Sequence, residues 1–327
     1  MKLHEDKELF GEFLREIYNR AGIDLDILEK DYYVCMVLKE IALKQSEMNV
    51  YFKGGTAVYK ILPTMNRFSE DIDLTYKPED SISKNQNRKR LESTATEYNI
   101  KGLKYINSIK SKDSVTAFYE YESAFNEPAV PLQRNGKIQI ESTAFTISEP
   151  TNEYTVEPLI LKLANENERK ILNEKYDIKE IKIKTITLER MFIDKIFAAE
   201  FYYIRGNKNV DFAKHVFDIC TLLDNKDISS FLKDKKRIRR VVLYKRLEER
   251  NRIGGVDENL KIKDFKYLNE ELSKERIEAI NILQDKYVLK EEYKFKVDEI
   301  KSKLKLLREL FESYDMLLNC IKKYIYK

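Results

Sequence analysis

Two glycines and two aspartates carry the chemistry most legible in this chain. Gly54-Gly55-Thr56 follows a short apolar run ending at Lys53, and Asp71-Ile72-Asp73 comes shortly after it. Adjacent glycines at the end of a strand let backbone N–H groups turn toward an anion, and a following helix adds its positive end. Thr56 can add a hydroxyl there, and Lys53 or Lys60 a charge; Lys60 is taken as the phosphate contact. The duller reading is a plain strand-to-helix turn. The spacing is not that of a P-loop.

In a strand, residues i and i+2 point to one face. Asp71 and Asp73 therefore project together, with Ile72 and Leu74 toward the core. Two like charges held side by side are unfavourable without a cation between them. Oxygen ligands of this kind suit Mg²⁺ or Mn²⁺, together with the phosphates of a nucleotide. The alternative is a solvated strand edge. A third carboxylate is sought in 137–145, where Ile138 and Ile140 alternate with Gln139 and Glu141. On an adjacent strand Glu141 would stand beside the aspartates and complete a metal site for phosphoryl transfer. Otherwise it is an exposed strand residue. Alternation turns Glu70 away.

These residues need elements to hold them. Leu9, Phe10, Phe13, Leu14, Ile17 and Tyr18 predict an amphipathic helix over about 5–20, ended by Gly22. A second helix is expected from about 25 to 44, capped by Asp24 or Asp26. A short strand, a short helix and a second strand then carry the glycines and aspartates. A helix is expected within 77–100, and strands at 114–122, 137–145 and 181–186. From 187 the pattern is helical: 187–204, 210–223, 227–251, 268–286 and 290–325. A boundary is placed there, giving a domain over 1–186 and a helical one over 187–327.

The 327 residues are 43% hydrophobic and 35% charged, with nine Gly and six Pro, so a real core and long helices are expected. Three widely spaced cysteines argue against disulfides and a structural zinc site. The charged N-terminus lacks the apolar stretch of a signal peptide, and no apolar run approaches the ~20 residues of a membrane span. A cytoplasmic protein with no membrane contact is expected.

Taken together, Gly54-Gly55-Thr56 and Ser69-x-Asp71-x-Asp73 resemble the DNA polymerase β-type nucleotidyltransferase superfamily. The longer strings KGGTAVYK and RFSEDIDL, preceded by LEKDYYVCMVLKEI, resemble its AbiEii branch, the abortive-infection toxins of type IV toxin–antitoxin systems; the MenT toxins belong to the same wider group. The resemblance extends to Lys195 behind Asp194, to Asp218 in the next helix, and faintly to Gly254-Gly255 and Asp264-Phe265. Asp194 replaces a usual Glu, and His215 a frequent Asp; His215 by itself reads as a surface histidine. The resemblance implies an α+β fold: a polymerase β-like core, a small mixed sheet with helices, followed by a mainly α-helical C-terminal part. It implies a nucleotide site at Gly54, Gly55, Thr56, Lys60, Ser69 and Lys195. It implies metal at Asp71, Asp73 and Glu141, and catalysis through these three with Lys195 and Asp218. On residues alone, Lys195 is a lysine snorkelling to water. Asp218, between Phe217 and Ile219, needs a partner that Lys195 can supply.

One charged stretch stands apart. Residues 233–252 hold ten Lys or Arg and three acids. Lys236, Arg237, Arg239, Arg240, Tyr244, Lys245 and Arg246 are read as an RNA-binding face, against the plainer reading of a solvated helix. A membrane-surface helix is less well supported. The expected function is a metal-dependent nucleotidyltransferase toxin of a phage-defence system. It would pass a nucleotide from an NTP to an acceptor, a tRNA 3′ end, and so block translation. A monomer is expected, with an antitoxin that acts without a stable complex. The alternatives are transfer to a protein or small molecule, and a non-catalytic helical protein that binds RNA or a partner.

Overall fold

The computed structural model describes residues 2–62, 67–125, 136–206, 208–252 and 254–325, with side chains through 313. The chain divides into two compact units, Met1–Ile186 and Thr187–Lys327.

The first unit begins with α1 (Lys7–Ala21) and α2 (Leu25–Met48). Asp6 caps α1 by accepting from Leu9 N–H (3.1 Å), and Gly22 ends it in the left-handed conformation with φ 68°. Then come β1 (Val50–Lys53), α3 (Gly54–Ile61), β2 (Ile72–Tyr76) and α4 (Lys84–Thr96). Ser83 and Gln86 form a reciprocal capping box on α4. The unit is completed by β3 (Leu103–Lys110), β4 (Ser114–Tyr121), β5 (Lys137–Thr143), β6 (Thr151–Val156), α5 (Leu159–Lys162), α6 (Glu166–Lys175) and β7 (Ile181–Ile186).

The strands form one mixed sheet in the order β3-β4-β5-β2-β1-β7-β6. β2 and β5 are parallel, as are β1 and β7; the other neighbours are antiparallel. Helices α2 and α4 cover one face. Thr94 of α4 donates to Ser142 Oγ (2.7 Å), and the Tyr119 hydroxyl donates to the Ala95 carbonyl (3.0 Å). That face buries Phe52, Ile72, Leu74, Ile138 and Ile140 completely. Each such side chain contributes roughly 1.5–3 kcal/mol. Gln45 of α2 closes the seam between β1 and β7. Its amide donates to the carbonyls of Val50 (3.2 Å) and Lys184 (3.0 Å) and accepts from Lys184 N–H (2.8 Å).

β3 and β6 went unread in the sequence. Both are edge strands and mostly exposed, so neither is obliged to alternate apolar and polar residues.

The second unit is helical among its described residues: α7 (Leu188–Arg205), α8 (Asn209–Leu223), α9 (Lys226–Phe231), α10 (Lys235–Asn251), α11 (Lys266–Asn269), α12 (Lys274–Tyr287) and α13 (Val297–Ile325). The single helix expected over 227–251 is two. Asn225 caps the first by accepting from Asp227 N–H (2.8 Å), and Asp234 caps the second by accepting from Lys236 N–H (3.0 Å). The fold is α+β. No helix among the described residues is long and apolar enough to cross a membrane.

Candidate active site

The sheet face opposite α2 and α4 holds the carboxylates. Register sets Lys53 of β1 opposite Asp73 of β2, Asp73 opposite Glu141 of β5, and Glu141 opposite Thr116 of β4. In a sheet, residues in register share a face and lie ~4.8 Å apart across neighbouring strands. Asp73 and Glu141 therefore stand side by side. Asp71 precedes the first paired residue of β2, and its carbonyl accepts from the Thr56 hydroxyl.

The glycine turn is pressed against this row. Gly54 has φ 84°, which disfavours any L side chain, and a Cβ there would lie 2.7 Å from Asp73 Cγ. A Cβ on Gly55 would lie 2.8 Å from Ser69 Oγ and 3.1 Å from Arg67 Nη2. The turn needs glycine because Asp73, Ser69 and Arg67 crowd it. Arg67 also donates to the Phe68 carbonyl (3.1 Å). Lys53 reaches Thr143 Oγ1 (2.9 Å) and Thr146 Oγ1 (3.4 Å) on the same face.

Thr56 is fully buried within the site, where its hydroxyl donates to the Asp71 carbonyl and meets Ser69 Oγ (3.1 Å). Lys60 lies about one turn beyond Thr56 on α3, with its side chain buried. There it pairs with Asp31 and donates to the Glu157 carbonyl (3.1 Å). Burial pushes the Lys60 pKa down, but Asp31 and Cys35 together outweigh this and hold it above the ordinary value. Lys53 is the lysine that shares the face of the carboxylates. Arg67, in the same string as Ser69 and Asp71, draws no role from its spacing, whereas Lys53 is named beside Lys60 as a possible charge.

The donor set fits a hard divalent cation: oxygen atoms only, on strands locked in register, beside a turn open to backbone approach. Among the described residues no three His, Cys, Asp or Glu side chains are grouped closely enough to hold a metal ion. The fit lies in the row and the glycine cradle.

In the second unit Lys195 of α7 and Asp218 of α8 are joined, Nζ to Oδ2 at 2.8 Å, with their side chains 8% and 5% exposed. Asp194, beside Lys195, accepts from Arg190 Nε (3.0 Å). His215 is not a free surface side chain, for it stacks on Tyr202 with ring centroids 5.3 Å apart.

The basic helix α10 divides in two. Lys236, Arg239 and Arg240 are exposed. Arg237 is exposed but paired with Glu189. Lys245 was expected at an RNA surface and is buried instead, 2.6 Å from Glu248 and 2.7 Å from Glu249. Burial lowers its pKa, but Glu248, Asp194 and Glu249 more than offset this and raise it. Arg246 is half-buried and donates to the Leu260 carbonyl (3.4 Å), and Tyr244 is half-buried too. The helix turns these residues inward because its apolar stripe, Ile238, Val241 and Val242, must face the core.

Comparison with the curated proteins gives no match. Among solved structures the chain is similar to MenT4, nucleotidyltransferase toxin Rv2826c from Mycobacterium tuberculosis H37Rv. The identity is 14% and the TM-score 0.46, over 94% of this chain and 97% of that one. The family model described as nucleotidyl transferase AbiEii toxin, type IV toxin–antitoxin system, matches residues 37–318. A match over most of the length, on a chain that aligns Asp73 with Glu141 beside a crowded glycine turn, leaves one assignment: this protein belongs to the AbiEii nucleotidyltransferase toxin family.

Proposed function

We propose that the toxin transfers a nucleotide from an NTP to the 3′ hydroxyl of an RNA, a tRNA, in a reaction that depends on a divalent cation. Asp71, Asp73 and Glu141 would hold Mg²⁺ or Mn²⁺. A cation held there neutralises charge on the triphosphate and on the reacting oxygens. Gly54 and Gly55 offer the head of α3 to the phosphates, with Ser69, Arg67 and Lys53 around them. The acceptor oxygen attacks the α-phosphorus in line. The new P–O bond forms as the bond to the β-phosphate bridge breaks, and pyrophosphate leaves with the electron pair. Glu141, the carboxylate carried on a second strand, takes the hydroxyl proton. Lys195, set by Asp218, is assigned to phosphate.

One observation carries this reading: the register that pairs Asp73 with Glu141 next to Gly54. The RNA acceptor is supported by the exposed cations Lys236, Arg239 and Arg240 on α10. Growth arrest of the host during infection, relieved by an antitoxin that forms no lasting complex, is the biological role that fits a type IV toxin.

The test is incubation of the purified toxin with α-labelled NTPs and Mg²⁺, separately with total RNA, with lysate protein and with small molecules. Label enters RNA, and it is lost in Asp71→Ala and on chelation of the metal. Undiminished transfer by Asp71→Ala would sink the assignment of the site. Label confined to protein would sink the acceptor.

A further inference from the structure

Three consecutive residues at the start of α2 are charged and buried: Glu29, Lys30 and Asp31, at 2%, 0% and 0% exposed. Ionised groups are buried only with partners, and these three find theirs on different pieces of backbone. Glu29 accepts from the Ser123 hydroxyl (2.6 Å) and the Ala124 N–H (2.7 Å), just beyond β4. Lys30 donates to the carbonyl of Lys137, the first residue of β5, and its Nζ lies 3.5 Å from Glu70 Oε2. Asp31 takes Lys60 and the Tyr59 hydroxyl (3.1 Å) from α3, and the Leu159 N–H (2.6 Å).

Glu70 leads directly into Asp71, and Lys137 leads into Glu141. β2 and β5 are parallel, so both strands enter the sheet at the same end. Glu70 continues the alternation of Ile72 and Leu74, which points it to the helix-covered side where α2 lies. One ammonium thus holds the entries of the two strands that carry the carboxylate row. Stability alone does not call for this arrangement, since well-packed apolar residues often replace a buried ion pair without loss. What the ammonium adds is a hydrogen bond to the entry of one strand and a charge contact, at 3.5 Å, to the entry of the other.

We propose that Lys30 is a positioning residue for the transfer reaction: through Glu70 and the Lys137 carbonyl it fixes the placement of Asp71 and Asp73 relative to Glu141. The inference rests on the reading of those carboxylates as the metal-binding group, and it adds a residue on the opposite face of the sheet.

The test compares wild type, Lys30→Arg, the double variant Lys30→Met with Glu70→Leu, and Asp71→Ala. Binding of Mn²⁺ with a non-hydrolysable NTP is followed by electron paramagnetic resonance, and the metal dependence of transfer alongside it. Circular dichroism and thermal unfolding report the fold. The double variant removes both charges of the pair and leaves the Lys137 carbonyl without this donor, so it is expected to fold, with a melting temperature somewhat below that of wild type. Its metal affinity should fall ~10–100-fold, the usual effect of losing a residue that orients metal ligands. Lys30→Arg should retain most of the affinity. A folded double variant with wild-type Mn²⁺ affinity would overturn the proposal. Should the double variant not fold, Glu70→Gln decides: a weakened metal half-saturation at unchanged melting temperature supports the tie, and an unchanged half-saturation refutes it. Wild type that binds Mn²⁺ no better than Asp71→Ala is a different result, and it refutes the metal site itself.

Discussion

Gly54→Ala probes the closest approach in the site. At φ 84° an L-residue costs roughly 1–2 kcal/mol. The added methyl would also lie 2.7 Å from Asp73 Cγ and 2.8 Å from its Cβ. Rotation about χ1 can carry Cγ away but not Cβ, so β2 or the turn must shift, at a further ~1–3 kcal/mol. The expected loss is therefore about 2–5 kcal/mol of unfolding free energy. Gly22→Ala is the matched control, with φ 68° and nothing within 4 Å of an added Cβ. It should show the backbone cost alone, ~1–2 kcal/mol. The difference between the two variants in urea unfolding isolates the contact with Asp73. A shift of about 1 Å in Asp73 should also cost ~10²-fold in nucleotide transfer, while Gly22→Ala stays near wild type. Equal stability losses in the two variants, with transfer intact in Gly54→Ala, would show that the carboxylate does not rest on the turn.

Other consequences can be measured directly. Asp218→Ala strands Lys195 in a buried position and should cost ~3–5 kcal/mol. Lys195→Met with Asp218→Leu should recover most of that stability while the KM for NTP stays high, if Lys195 meets phosphate. The exposed cations of α10 should set the salt dependence of RNA binding: Lys236→Ala, Arg239→Ala and Arg240→Ala together should flatten the log–log slope by about 2. Lys245→Ala should instead lower the melting temperature, and an unchanged melting curve would contradict its burial. His4 supplies a pH prediction. Nε2 donates to the Lys101 carbonyl (2.8 Å), so Nδ1 accepts from the Tyr32 hydroxyl (2.8 Å), and the ring is neutral. Burial lowers its pKa below the ordinary 6.5. Between the two values the unfolded chain binds more protons, so stability is full above pH 6.5 and is lost as pH falls through the folded value. Melting temperatures should drop more steeply on acidification for wild type than for His4→Gln.

Much of this geometry is local and hence readable. Strand alternation alone puts Glu141 on the face of Asp73, because period two leaves no other choice once Ile138 and Ile140 are inside. The glycine turn is legible for the same reason: its cause lies within a few residues. The misreadings involve lysines that the fold draws inward, Lys60 to an acid far away in sequence and Lys245 together with Glu248 and Glu249 of its own helix. Nothing near Lys60 announces Asp31, and nothing near Lys245 reveals that its carboxylates turn inward with it. A general rule sends lysines to solvent, and it fails where a buried acid waits. Glu29-Lys30-Asp31 offers a signal in three charges in a row on a helix whose buried side chains are mostly apolar. Local inconsistency of that kind marks residues that serve something other than packing.

The strand order has a consequence for how the protein is made. Every residue of the carboxylate row lies in β1, β2 or β5 or just before β2, and all of these leave the ribosome before β6 and β7. Yet β7 takes its place in the interior of the sheet, against β1. Until it arrives, the nascent chain holds a five-stranded sheet whose open edge is β1, the strand leading into the glycine turn. Gln45 beside it keeps only its bond to the Val50 carbonyl, because two of its three backbone contacts are with Lys184. Long-range pairing of this sort closes late and leaves an edge exposed meanwhile. A truncated or stalled chain ending before β7 would carry the catalytic strands without the strand that seals them, and aggregation rather than toxicity is its expected fate.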